Sequence, residues 1–78
     1  MKREKTPKLV LTFPNTTSAM AAEAACGAAL GRLIPIPGEI RGGCGLAWCA
    51  LPEQEAEVLG RIEEKGILYE EKRIIELY

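Results

Sequence analysis

The chain has no histidine and no aspartate, so all eleven of its acids are glutamate. It has one serine, Ser18, and one asparagine, Asn15. A Ser-His-Asp triad or a Cys-His dyad therefore cannot be assembled from this chain alone. A Cys2His2 zinc site is excluded, and so is the usual Asp-rich loop for magnesium or calcium. Long apolar runs are missing too. The longest is broken by Glu23 and Gly27 and is far too short for a membrane span. No apolar run directly follows the basic start, so no secretory signal is expected. What remains with nucleophilic or ligand character is three cysteines, the glutamates and the basic residues.

At 78 residues with 47% apolar and 27% charged side chains, the composition is that of one small folded domain. Such a chain buries roughly 60% of its unfolded surface and has little room for a deep closed pocket. A surface loop site, or a site shared with a partner, is the better expectation. The net charge of -1 argues against nucleic acid as a partner. The cluster Lys2, Arg3, Lys5 and Lys8 reads as a solvated N-terminus. An odd number of cysteines without a secretory signal points to free thiols in a reducing cytoplasm.

Residues 1–7 read as a flexible lead-in, and 8–78 as a single domain. Lys8 to Phe13 is rich in strand formers. Asn15 to Ser18 offers N-caps for an alanine-rich helix running from Ala19 to about Leu30, with Gly31 as its stop. Arg32 to Ile36 is a second strand, which Pro35 and Pro37 confine to a sheet edge. Gly45 to Ala50 is a third strand, apolar on both faces and therefore central. Trp48 in it is expected in the core. Pro52 opens a second helix that closes at Lys65 and Gly66. Its apolar stripe is Ala56, Val58, Leu59 and Ile62, with Glu57 and Arg61 paired on the wet face. Ile67 to Leu77 is a last strand, bulged at Glu71-Lys72.

The order βαββαβ predicts an α+β, ferredoxin-like domain: a four-stranded antiparallel sheet with two helices on one face. The first and third strands are expected at the centre, where right-handed crossovers make those two parallel to each other.

The most unusual local feature is Arg41-Gly42-Gly43-Cys44-Gly45. Glycines at Gly42, Gly43 and Gly45 allow positive φ and can turn several backbone N–H groups toward one point. Such a concavity, with Arg41 beside it, favours a thiolate at Cys44. The bland alternative is a flexible hairpin loop with Cys44 as the first small residue of the third strand. Glu39 is the one acid in the loop, and a surface ion pair with Arg41 is its plain reading. Cys26 reads as core filler in the alanine helix. Cys49 follows Cys44 by five positions, so strand parity puts the two on opposite faces, which argues against a disulfide or chelating pair between them. No metal site and no cofactor are expected.

Several of these residues also resemble a family of small bacterial proteins described as selenium/sulfur carrier-like. The likeness lies in Leu11-Thr12-Phe13, then Thr16 or Thr17, then Ala19, Met20 and Glu23. It continues through Leu33-Ile34-Pro35-x-Pro37 and Cys44-Gly45-Leu46-Ala47, covering about residues 8 to 76. The resemblance implies that Cys44 holds a persulfide or perselenide and hands the outer atom to an acceptor. Donor and acceptor proteins are then the partners, no membrane is involved, and a homodimer is compatible with the exposed edges. The chain lacks the Cys-Pro-x-Pro motif of the better-understood small sulfur carriers. Two other functions compete with a carrier. One is a non-covalent interaction or regulatory module that binds a partner or small ligand through the exposed last strand. The other is a redox sensor using Cys44 and Cys49, against which the strand parity argues.

Overall fold

The run Leu9-Val10-Leu11-Thr12 is buried on both faces, which a strand tolerates only at the centre of a covered sheet. In the computed structural model, which describes residues 6–38, 40 and 45–77, that run lies in β1, Thr6–Thr12. β1 starts inside the expected lead-in, and the first five residues lie outside the described ones. Three further strands join it: β2, Arg32–Pro35; β3, Leu46–Ala50; and β4, Glu71–Leu77. The helices are α1, Thr16–Cys26, and α2, Glu55–Glu64. Short 3-10 turns at Ala28–Leu30 and Pro52–Gln54 precede β2 and α2 respectively.

The sheet is four-stranded in the order β2-β3-β1-β4, and every neighbouring pair is antiparallel. The domain is therefore α+β with two helices on an antiparallel sheet. Proline-bearing β2 is at an edge and apolar β3 is central, as the sequence predicts. The expected parallel pairing of β1 with β3 is corrected: Leu9 faces Ala50 and Thr12 faces Ala47 in antiparallel register. A helical crossover carries β2 in the same direction as β1, and the β2–β3 hairpin then reverses the chain once. β3 must therefore run against β1.

Alternation sorts the strand residues onto two faces. Leu9, Leu11, Trp48 and Ala50 meet α1 through Ala19, Ala22 and Cys26, and α2 through Val58 and Ile62. The alanines of α1 let that helix lie close to the strands. Trp48 is 1% exposed, and its indole N–H donates to the Leu30 carbonyl at 3.0 Å. The opposite face carries a smaller cluster of Val10, Ile40, Ala47 and Ile75.

Several boundaries differ from expectation. Helix α1 begins earlier because Asn15 is the cap, its side chain accepting from Ser18 N–H at 2.8 Å. It ends at Cys26, with Gly27 N–H donating to the Glu23 carbonyl, and Gly31 closes the following 3-10 turn instead. Helix α2 closes at Lys65 and Gly66 as predicted. Gly66 N–H donates to Glu63 and Ile67 N–H to Ile62, the paired bonds of a Schellman motif. That motif takes Ile67 as its apolar cap, so β4 starts only at Glu71 and pairs without a bulge. On α2, Ala56 is exposed rather than part of the buried stripe. Arg61 reaches across to the Ala25 carbonyl at 3.4 Å, tying the two helices together where a pair with Glu57 was expected.

Candidate functional site

The loop singled out in the sequence joins β2 to β3. Its base is firmly closed: Pro35 pairs with Leu46, and Ile36 N–H donates to the Gly45 carbonyl at 2.9 Å. Within the loop, Ile40 N–H donates to the Pro37 carbonyl at 3.0 Å. Ile40 is 4% exposed and packs with Val10, Ala47 and Ile75 on the sheet face opposite the helices. Gly45 sits where β3 begins, with φ of 89° and open space around the position a Cβ would take. Its backbone conformation, not crowding, calls for glycine there. Of the predicted site residues, Gly45 is the one the structure places. Arg41, Gly42, Gly43 and Cys44 lie outside the described residues, as does Glu39.

The other two thiols are placed, and both are free and buried. Cys26 is 5% exposed in the helix-facing core, as predicted. Burial pushes its thiol up, against an opposing pull from Arg61. Cys49 lies on the face away from the helices, 9% exposed. Burial raises its thiol as well, and the positive charges of Arg32 and Lys8 act against that rise. A raised thiol is mostly protonated near neutral pH and is a poor nucleophile.

The grouping around Cys49 was not foreseen. Register sets Arg32 directly opposite Cys49, and Cys49 opposite Val10, two residues from Lys8 on the same face. Lys8, Arg32 and Cys49 line a cleft of about 370 Å³ with Ile34, Gln54 and Leu77. The signal for it lay in the hairpin: once Pro35 and Leu46 close the ladder, counting back three residues on one strand and on three on the other pairs Arg32 with Cys49.

Among the described residues, no group of three or more Cys or Glu side chains is placed to hold a metal ion. No described helix is long and apolar enough to cross a membrane. No curated protein and no solved structure gives a match to the chain. A family model does match, over residues 8–72, from β1 through the loop into β4. The chain belongs to the family described as "Putative Se/S carrier protein-like".

Proposed function

We propose that this chain is a cytoplasmic sulfur or selenium carrier built on a ferredoxin-like frame, with Cys44 as its covalent handle. Gly42, Gly43 and Gly45 supply backbone N–H groups toward the sulfur, and Arg41 favours its anionic form. The family match carries the reading, because it spans the loop that holds Cys44. The state of the other thiols supports the choice of residue: Cys26 and Cys49 are buried and their thiols are raised.

The chemistry is thiol exchange without net oxidation. The Cys44 thiolate attacks the outer sulfur of a donor persulfide. A new S–S bond forms at Cys44, the donor's own S–S bond breaks, and the donor leaves as a thiolate. An acceptor nucleophile then attacks the outer atom, and Cys44 is released as the thiolate it began as. Selenium follows the same bookkeeping. The catalysts are the donor and acceptor proteins, and the carrier supplies an accessible thiolate between them.

The test is incubation with a cysteine desulfurase and either cysteine or selenocysteine, which load the donor as a persulfide or perselenide, followed by intact-mass measurement. One added sulfur or selenium atom is expected on the wild type, on Cys26→Ser and on Cys49→Ser, and none on Cys44→Ser. An adduct on Cys26 or Cys49, or no adduct at all, overturns the assignment.

One observation favours the second reading, an interaction module. β4 forms a sheet edge, and Ile74 on it is 52% exposed. Under that reading Ile74→Lys abolishes partner binding while Cys44→Ser leaves it intact.

A further inference from the structure

The cleft above Cys49 lies at the end of the sheet away from the β2–β3 hairpin loop, where β2 and β1 begin and β3 ends. Two features of it call for a ligand. The first is uncompensated positive charge. Lys8 and Arg32 share one sheet face, diagonal and opposite to Cys49. Neither makes an ion pair with a described residue, and no described residue lining the cleft is acidic. The basic residues of β4 differ: Lys72 pairs with Glu55 at 2.6 Å and Arg73 with Glu71 at 3.5 Å. The Cys49 thiol, held protonated by burial, supplies no counter-charge either.

The second feature is shape. Ile34 and Leu77 are apolar walls at opposite ends of the cleft. Gln54 forms a fixed rim, since its amide donates to the Ala29 carbonyl at 3.0 Å and accepts from Leu51 N–H at 3.2 Å. Those two bonds brace the turn before β2 against the turn before α2, so the cleft is formed before any ligand enters. A pre-formed cleft with apolar walls and a few polar groups is the usual design of a small-ligand site.

We propose that this cleft binds a small organic phosphate, with Arg32 and Lys8 on the phosphate and Leu77 against its apolar remainder. Two cations match a phosphate monoester, which carries close to two negative charges at neutral pH. A carboxylate would leave one cation unmatched. Guanidinium geometry suits two phosphate oxygens at once, while lysine acts as a point charge. The site does not involve Cys44 and stands apart from the carrier reading.

The experiment is an amide chemical-shift titration of the full chain with phenyl phosphate, benzoate and inorganic phosphate at low salt. Phenyl phosphate is expected to bind most tightly, shifting the amides of Arg32, Cys49 and Leu77. Lys8→Gln and Arg32→Gln should each weaken it about tenfold, the loss expected for one charge-assisted hydrogen bond. Lys65→Gln and Cys44→Ser should leave it unchanged. Shifts scattered over all basic residues, or unaffected by Lys8→Gln and Arg32→Gln, overturn the site. Equal binding of benzoate overturns the phosphate assignment, and equal binding of inorganic phosphate overturns the apolar half.

Discussion

Replacing Gly31 with alanine isolates what holds the start of β2 against the core. Gly31 has φ of 132° and ψ of -157°, a region essentially reserved for glycine. An added Cβ would fall against the Cys49 carbonyl oxygen and within 2.8 Å of Trp48 Nε1. The carbonyl belongs to the β3 backbone and cannot swing aside. The indole can move only by giving up its hydrogen bond to Leu30. Gly27 is the matched control. It has φ of 74° and ψ of 173°, in the same region, but an added Cβ there meets nothing within 4 Å. Gly27→Ala therefore carries backbone strain alone, about 1–3 kcal/mol. Gly31→Ala carries the same strain plus a steric term of about 1–3 kcal/mol and an orphaned indole N–H worth about 1–3 kcal/mol. These terms overlap, so about 2–4 kcal/mol beyond Gly27→Ala is the expected difference. A chain of this length has a total stability of about 4–12 kcal/mol, so Gly31→Ala consumes much of it. Urea unfolding followed by the fluorescence of Trp48, the one tryptophan, reads the affected site directly. Equal destabilisation by the two substitutions would refute the steric argument. So would a Gly31→Ala variant within about 0.5 kcal/mol of wild type, the range of an ordinary surface change.

Two further predictions follow from burial. Both placed thiols are raised in the folded chain, so the unfolded chain loses their protons first. Their contribution to stability is complete below the free-thiol value of about 8.5 and declines as pH rises from there toward the native values. Stability measured across that window should fall less steeply in a Cys26→Ala/Cys49→Ala chain, and an unchanged slope would contradict the assignment. Ile40→Ala removes the loop's anchor on the open sheet face and should cost about 2–4 kcal/mol by urea unfolding. A cost under about 1 kcal/mol would mean that Ile40 does not hold the loop down.

Much of the architecture was legible because single residues carried it. Pro35 and Pro37 denied β2 a central place, and the two-sided apolarity of β3 gave it one. Lys65-Gly66 closed α2 where it does close. The misreadings share a cause: competition between neighbours that propensity alone does not settle. Alanine propensity ran α1 through Gly27, whereas the chain bends there to put Leu30 under Trp48. Ile67 looks like a strand residue and serves as a helix cap. The direction of β3 was a matter of counting reversals, not of any residue. The Cys44 loop stands out in the sequence by its glycines. The Cys49 cleft does not, because its members are single residues on three strands and meet only through register.

The pairing of β1 with β4 has a kinetic consequence. Thr6 meets Leu77, so this ladder joins opposite ends of the described chain, while the β2–β3 hairpin joins near neighbours. Closing a loop of that size costs roughly 4 kcal/mol of chain entropy before any contact repays it. The hairpin and α1 are therefore early structures, and β4 docks last. The reverse holds on unfolding, where β4 has only one partner strand to leave. When it leaves, it uncovers the hydrogen-bonding edge of Leu9, Val10 and Leu11, the most thoroughly apolar stretch of the sheet. A bare apolar edge of that kind is a template for pairing with another chain. Detachment of β4 is thus the step that would offer this edge to a second chain.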